Sequence, residues 1–261
     1  MHFTDEARQV GAGVTNAGAG IHKRALESVV NPVMTAVNSC CRLRRNFGFA
    51  ILSAEDQLED TLHPEEIRLL PPRACRIKRV EFSLGRVAVR LALKQIGFDN
   101  PVPILRGEKG EPLWPDGITG SISHCYPWSI AVVAKSPNHF AIGIDLESTA
   151  RFQGPDISDL VCRDVERDWA RAGCDFQERV AMIFSAKEAV YKAFYPLCHR
   201  YIDFKEVELS WSPEDYRFHC RCITALSPSI PLGTACDIYC RCHGGLVFSH
   251  STAYVEEIFS C

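Results

Sequence analysis

The sequence predicts an α/β (α+β) fold in which the two halves of the chain repeat one architecture. Two long segments, 77–96 and 177–195, carry the apolar stripe of helices that pack one face on a core. Short apolar runs bounded by turn residues flank both segments and are typical of strands. Each half therefore offers one long helix and about three strands, the layers of a mixed protein.

Composition places the chain among globular proteins and excludes several classes of function. Its 261 residues, 46% of them hydrophobic, can bury a sizeable core. The net charge of −3 gives no basic field that would attract nucleic acid. No run approaches the ~18 apolar residues of a membrane span, and the first residues lack a secretory pattern. We therefore expect a cytoplasmic protein that does not bind nucleic acid or cross a membrane.

The thirteen cysteines are an odd number, and most of them lie in apolar stretches. In a reducing cytosol they are expected to be free buried thiols. Cys220 and Cys222 have a one-residue spacer, as do Cys240 and Cys242, and this spacing places both thiols on one strand face. Tetrahedral zinc sites use spacers of about two to four residues, so the strand interpretation is favoured.

Residues 1–40 are predicted to be a mobile extension of the folded protein. The stretch 11–20 is too rich in glycine and alanine to fold alone, and only a short helix at 21–30 is predicted before Pro32. A chain that starts near Cys41 is therefore expected to keep its fold and its activity.

The first half continues with strands and two helices. Gly97 follows the longer helix as a C-terminal cap, and the segment 101–120 is rich in turn residues. The predicted strands are 47–52, 121–125 and 129–134, and the helices begin near His63 and Ile77.

A cationic stripe runs along the polar side of the longer helix of this half. It consists of Arg79, Arg86, Arg90 and Lys94. A solvated outer face explains such a stripe, but a guanidinium is also the preferred partner of phosphate because its fork bonds two oxygens at once. Both interpretations stay open on these residues alone.

The second half opens with a strand that carries two carboxylates. Within 143–147, alternation sends Asp145 and Glu147 to one face and the apolar Ile144 and Leu146 to the other. Two adjacent carboxylates repel unless a cation lies between them, and hard oxygen ligands favour magnesium over zinc. A polar strand end at the surface explains the same residues without a metal.

A charged helix and the second long helix follow, and then an antiparallel sheet. The charged helix is predicted at 159–172, and Pro196 is expected to end the long helix. The strands are predicted at 140–146, 203–211, 216–223, 234–241 and 246–253.

Three charged residues of the long helix stand out. Lys187 lies in the middle of the apolar stripe, where an ammonium is costly unless it meets an anion. Glu188 and Lys192 are four residues apart and therefore neighbours on the flank of that stripe. An exposed Glu–Lys pair, with Lys187 extending its charge to water, is the alternative.

Four segments in order carry a family resemblance. They are Lys78-Arg79-Val-Glu-Phe-Ser-Leu-Gly-Arg86, Gly110-Glu-Pro-Leu-Trp-Pro-Asp-Gly with Gly120-Ser-Ile-Ser-His124-Cys, Gly143-Ile-Asp145-Leu-Glu147 and Phe184-Ser-Ala-Lys187-Glu188-Ala-Val-Tyr-Lys192-Ala. They resemble the 4′-phosphopantetheinyl transferases, in particular the enterobactin-like branch of the long, pseudo-dimeric group with surfactin- and enterobactin-type enzymes. One departure is Phe184, where surfactin-type relatives carry a tryptophan.

The resemblance implies two similar subdomains, each a helix on a small, mainly antiparallel sheet, related by a pseudo-twofold axis. The active site then lies in the cleft between them. We expect the extension at 1–40, a subdomain at 41–137 that grips coenzyme A, and a subdomain at 138–261 with the magnesium site and catalytic helix. The protein is expected to be a monomer.

The implied reaction transfers the 4′-phosphopantetheine arm of coenzyme A to a serine hydroxyl of an apo acyl or peptidyl carrier protein. Adenosine 3′,5′-bisphosphate is released, and the carriers served belong to siderophore, peptide-synthetase or polyketide pathways. By motif position Asp145, Glu147 and Glu188 hold magnesium. Glu188, directly or through a metal-bound water, accepts the serine proton, while Lys192 neutralises phosphate charge. The implied catalytic residues are Glu188, Lys192 and Asp145.

The resemblance also implies a set of coenzyme A contacts. Those in the first half match positions that bind the phosphates and the adenine. In the second half, Lys187 matches a lysine near the nucleotide, and Lys192 matches one that neutralises the transferring or departing phosphate. The residues are Arg79, Arg86, Lys109, Ser123, His124, Lys187 and Lys192.

Two other classes of function are compatible with these residues. A magnesium-dependent coenzyme A or nucleotide hydrolase would use the same carboxylates with water in place of the serine. A non-catalytic module that binds coenzyme A or carrier proteins would have little need for a metal, so the acidic set argues against it. Incubation with coenzyme A alone separates a hydrolase from a transferase.

Overall fold

The computed structural model describes residues 26–28, 30–31, 47–56, 62–99, 102–135 and 140–254. The strands are β1 (Phe47–Ser53), β2 (Leu105–Arg106), β3 (Pro112–Leu113), β4 (Ile118–Cys125), β5 (Trp128–Lys135), β6 (Phe140–Ser148), β7 (Val207–Ser212), β8 (Arg217–Cys222), β9 (Ala235–His243) and β10 (Leu246–Tyr254). The helices are α1 (Pro64–Arg68), α2 (Arg76–Gln95), α3 (Ser158–Val161), α4 (Asp164–Arg171) and α5 (Phe176–Cys198). Single 3-10 turns lie at Thr149–Phe152 and Phe204–Glu206.

The strands form two main sheets, and all of their pairings are antiparallel. One sheet has the order β1-β5-β4, the other the order β6-β10-β9-β8-β7, and β2 with β3 makes a small hairpin. Helix α2 covers the first sheet and α5 covers the second. The predicted α/β class is confirmed, with one long helix on an antiparallel sheet in each half.

Each long helix lies very close to its sheet at one glycine. A Cβ at Gly48 of β1 would overlap the carbonyl oxygen of Ala92 in α2, and a Cβ at Gly143 of β6 would overlap that of Ala189 in α5. Glycine therefore permits the helix backbone to approach the strand. In the second half this approach brings the acidic strand β6 next to the charged residues of α5.

The two sheets pack against each other through their remaining faces. Alternate residues of β5 meet Ile144 and Leu146 of β6 and Phe248 of β10 in one apolar cluster. Leu26 and Val30, in a helical segment at 26–28 and 30–31, belong to the same cluster and are fully buried. For this segment the expectation of a mobile extension at 1–40 is wrong, because its side chains complete the core between the sheets. The other residues of that range lie outside the described part of the chain.

Two helices differ from the prediction. The expected helix at 159–172 is divided into α3 and α4, because Cys162 and Arg163 are extended and Glu166 caps α4 by accepting from the Arg163 N–H. Helix α5 passes through Pro196 to Cys198, since a proline in the last turn removes only one helical hydrogen bond.

Within the described ranges, no helix is both long enough and apolar enough to span a bilayer. The proposed division of the chain near residue 137 falls between β5 and β6 and stays a prediction.

Candidate active site

The predicted acidic and basic residues meet where β4, β6 and α5 come together. Asp145 and Glu147 are alternate residues of β6 on the face that α5 covers, and both are buried. Lys192 on α5 reaches across to β6, with its Nζ 2.7 Å from Asp145 Oδ1 and 3.0 Å from the carbonyl oxygen of Ile144. The alternation predicted for this strand therefore places the carboxylates as expected, and Lys192 is not a surface side chain.

The two oxygens of Asp145 have different surroundings. Oδ1 accepts hydrogen bonds from Lys192 Nζ and, at 3.1 Å, from Ser123 Oγ of β4. Oδ2 is buried and has no hydrogen-bond partner among the described residues. A buried acceptor without a partner is costly, so this oxygen is suited to bind a cation that enters the site.

The surroundings of Glu147 and Glu188 raise the pKa of both carboxyl groups to near neutral pH. Burial, and then the negative charge of Asp145, raises the pKa of Glu147 to about 8, although Arg151 forms an ion pair with it. The same two causes raise the pKa of Glu188 to about 7. The charge of Asp145 thus acts on both glutamates, and repulsion of this kind is what a divalent cation relieves.

The donor set suits magnesium by its chemistry. Carboxylate oxygens are the ligands that this ion prefers, and Asp145 Oδ2 is available. In the present arrangement, however, Lys192 and Arg151 neutralise Asp145 and Glu147. No group of three or more metal-binding side chains is arranged around a common point within the described ranges. The magnesium site therefore stays a prediction.

A cationic cleft of about 900 Å³ lies beside α2 and β4, and Asp145, Glu147 and Glu188 are not among its lining residues. His124, the residue after Ser123, lies at this cleft with its Nδ1 4.0 Å from Glu81 Oε1. The guanidinium of Arg86 lies 4.5 Å from the ring centre of Phe82, and that of Arg106 lies 5.5 Å from it. The cleft therefore gathers several positive groups around one aromatic ring.

Arg86 is the buried cation of this cleft. Burial lowers its pKa to about 10, and the nearby Arg106 and Arg90 act in the same direction, whereas Glu66 raises it. Its Nε has no hydrogen-bond partner among the described residues. A buried guanidinium short of acceptors is well suited to bind a phosphate.

Comparison with known proteins identifies the family of the chain. A family model for the 4′-phosphopantetheinyl transferase N-terminal domain matches residues 65–134, and the model of the 4′-phosphopantetheinyl transferase superfamily matches residues 141–225. The chain is 36% identical over 153 residues to the 4′-phosphopantetheinyl transferase Npt of Nocardia iowensis, which is 59% of this chain and 68% of that protein. The chain belongs to this superfamily.

Two further relatives support the assignment. The 4′-phosphopantetheinyl transferase Svp of Streptomyces mobaraensis is 36% identical over 176 residues, or 66% of this chain and 70% of Svp. Enterobactin synthase component D of Escherichia coli K12 is 36% identical over 122 residues, or 46% of this chain and 56% of that protein. The resemblance to the enterobactin-like branch is confirmed. The protein is therefore an enzyme, a transferase that acts on coenzyme A and a carrier protein.

Sequence reasoning missed three cationic residues of this transferase's cleft. Lys78, Arg106 and Arg73 line it together with Arg86. Lys78 precedes Phe82 by four residues and Arg86 by eight, so Lys78, Phe82 and Arg86 share one face of α2. This spacing can be read from the sequence, whereas the predicted cationic stripe begins one residue later, at Arg79.

Arg79 itself is not among the residues that line the cleft. Its guanidinium donates to the carbonyl oxygens of Ala74 at 3.1 Å, Pro72 at 2.8 Å and Pro71 at 3.4 Å. It therefore anchors the loop before α2, and its expected contact with coenzyme A stays a prediction. Lys109 is exposed in the turn between β2 and β3, next to Gly110 at the cleft, and its role stays a prediction.

Lys187 is also placed differently from the expectation. Its side chain is 1% exposed, and its Nζ lies 2.7 Å from Glu166 Oε2 and 2.7 Å from the carbonyl oxygen of Phe204. A buried carboxylate on α4, rather than a nucleotide, accounts for the cation on the apolar stripe. The expected contact of Lys187 with coenzyme A is therefore wrong.

Ser123 is a further correction. It is 4% exposed, and its hydroxyl bonds Asp145, the N–H of Leu146 and Lys192 inside the protein. The expected contact of this hydroxyl with coenzyme A phosphates does not agree with that geometry.

Proposed function

We propose that this transferase moves the 4′-phosphopantetheine arm of coenzyme A onto a serine hydroxyl of an apo acyl or peptidyl carrier protein and releases adenosine 3′,5′-bisphosphate. One observation carries the assignment of its active site. Strand β4 supplies one residue to each part, because His124 lines the cationic cleft and Ser123 bonds Asp145 of the proposed acidic site. Pyrophosphate chemistry requires both parts side by side.

Glu188 is the proposed general base. With a pKa raised to about 7 by burial and by Asp145, it is matched to accept a proton at neutral pH. The serine proton of the carrier moves to this carboxylate as the serine oxygen bonds to phosphorus, and the P–O bond to the departing bisphosphate breaks.

Lys192 is the proposed charge-neutralising group. Burial lowers its pKa, but Asp145 and Glu188 outweigh burial and raise it overall, so the ammonium stays protonated. A fixed positive charge beside the transferring phosphate stabilises the negative charge that develops there.

Asp145, Glu147 and Glu188 are proposed to hold magnesium. The ion would neutralise the pyrophosphate of coenzyme A. The unpartnered Oδ2 of Asp145 and the raised pKa of both glutamates support this assignment.

The cleft is proposed to hold the nucleotide end of coenzyme A. Arg86 and His124, with Lys109 at the adjoining turn, would bind its phosphates, and Lys78 and Arg106 extend the same positive surface. The volume of about 900 Å³ suits a large anionic ligand.

We propose siderophore, peptide-synthetase or polyketide carriers as partners, because relatives include enterobactin synthase component D. A cytoplasmic monomer is proposed as well, since one chain supplies both the cleft and the proposed acidic site.

Mass spectrometry of a panel of apo carrier proteins with coenzyme A and magnesium tests the proposal. We expect a gain of one arm on at least one carrier and none on the same carrier with its serine changed to alanine. Consumption of coenzyme A without any carrier would indicate the hydrolase. Binding of coenzyme A without turnover on any carrier would indicate the binding module.

A further inference from the structure

Strands β4 and β6 lie side by side at the edges of different sheets, and no strand pairing between them occurs in the described ranges. Two serine side chains connect them instead. Ser121 Oγ accepts from the N–H of Ile144 at 3.1 Å, and Ser123 Oγ accepts from the N–H of Leu146 at 3.0 Å. Both serines are buried, so these hydroxyls take the place of the carbonyl acceptors of a strand ladder.

The two bonded N–H groups lie on either side of Asp145. The segment of β6 that carries this carboxylate is therefore held at two points by β4. We call Ser121 and Ser123 the serine clasp.

Ser123 makes two contacts that Ser121 does not make. Its hydroxyl donates to Asp145 Oδ1 at 3.1 Å, and Lys192 Nζ lies 3.3 Å from its oxygen. A hydroxyl has one donor and two acceptor sites, so bonds to Asp145, the Leu146 N–H and Lys192 use all three. No capacity is left for a phosphate of coenzyme A.

We infer that Ser123 is a positioning residue of the transfer reaction, which fixes the orientation of the Asp145 carboxylate, while Ser121 only joins the sheets. With Oδ1 held by Ser123 and Lys192, rotation of the carboxylate is restricted and Oδ2 keeps one direction. This inference rests on the proposed function, because it assigns Asp145 to the reacting site. It gives the serine that precedes His124 a role other than substrate contact.

Ser121→Ala and Ser123→Ala form a matched pair in the full-length chain. Each removes one buried acceptor of a backbone N–H, so we expect similar losses of a few degrees in Tm. Only Ser123→Ala is expected to lower kcat, by about tenfold or more, because it leaves the Asp145 carboxylate misaligned in the reacting site. Its affinity for coenzyme A, measured by calorimetry, should match that of the wild type, and Ser123→Thr should recover most of kcat.

Mn²⁺ binding, followed by electron paramagnetic resonance, adds a readout that needs no turnover. We expect Ser123→Ala to weaken Mn²⁺ binding several-fold and Ser121→Ala to leave it unchanged. Should the alanine variants not fold, Ser121→Cys and Ser123→Cys repeat the comparison with side chains of nearly the same size.

Two results would overturn the inference. Weaker coenzyme A binding with unchanged kcat in Ser123→Ala would make Ser123 a phosphate ligand. Equal losses of kcat and Mn²⁺ binding in both alanine variants would make the clasp purely structural. A wild-type protein that modifies no carrier would contradict the proposed function alone, and the Mn²⁺ comparison would still decide the role of Ser123.

Discussion

At the scale of single residues, Glu188 and Lys192 differ from an exposed helix pair in the groups with which their charges interact. Lys192 bonds Asp145 on the neighbouring strand, and Glu188 is a half-buried acid with a raised pKa. Glu188→Gln keeps the shape but loses charge and basicity, so we expect loss of turnover with coenzyme A binding retained. Single-turnover assays and calorimetry measure the two effects separately.

The charge-swapped double variant, Glu188→Lys with Lys192→Glu, is the control for this prediction. It keeps the same two charges on α5 but exchanges their positions, so a cation stands where the base and metal ligand are proposed. We expect no activity, and an active swapped variant would contradict the mechanism.

Arg86→Ala is expected to weaken binding of coenzyme A about 10- to 150-fold, the worth of a lost charge-assisted hydrogen bond. The loss should be much smaller for 3′-dephospho-coenzyme A if Arg86 binds the 3′-phosphate. Arg79→Ala is the matched control, since that guanidinium bonds only backbone carbonyls among the described residues. Equal losses for both ligands would return Arg86 to a general electrostatic role.

Glu206 provides a test by pH. Two hydrogen bonds from Arg200 lower its pKa from 4.5 to about 2. A lowered carboxylate pKa stabilises the fold above the unfolded value near 4.5, and this stability is lost as pH falls through about 2. Glu206→Gln should therefore cost about 1–2 kcal/mol at pH 7.

Urea unfolding at a series of pH values checks this dependence. The difference between wild type and Glu206→Gln should shrink below about pH 4.5 and vanish near pH 2. The exposed Glu214→Gln is the control and should change little. A difference that is constant over this range would exclude the ion pair as its source.

At the scale of elements, the helical segment around Leu26 and Val30 matters for stability. A chain that starts at residue 41 loses both buried side chains, and each such loss costs about 2–5 kcal/mol. We expect a lower urea midpoint for this chain than for one that starts at residue 21. Leu26→Ala, compared with the exposed Glu27→Ala, tests the same contact. Equal midpoints for all these chains would contradict the packing.

Periodicity predicted the two long helices and the side of β6 that carries Asp145 and Glu147, because local spacing determines which face a side chain takes. It could not predict that Lys187 meets Glu166, since that contact joins α4 and α5 through tertiary packing. The same limit applies to Ser123, whose partners lie on β6 and α5. Family resemblance assigned both side chains to a ligand, whereas the packed structure uses them internally.

At the scale of the whole molecule, the proposed active site takes residues from both sheets. The acidic strand β6 belongs to one sheet, and His124 belongs to the other. Their relative position therefore depends on the apolar cluster between the sheets and on the serine clasp. A substitution in that cluster can therefore change the reaction rate although the substituted residue does not belong to the proposed active site.

Gly143 has a consequence of this kind. Its hydrogen atom occupies the place where any other residue would bring a methyl group against the Ala189 carbonyl. In Gly143→Ala the helix must move outward and carry Glu188 and Lys192 away from Asp145, and charge coupling falls with distance. We expect this one-carbon change to abolish turnover while far-ultraviolet circular dichroism stays native-like, and full activity would show that α5 can shift without cost. The distance between Asp145 and the charged residues of α5 is thus set by a hydrogen atom of Gly143 that takes no part in the reaction.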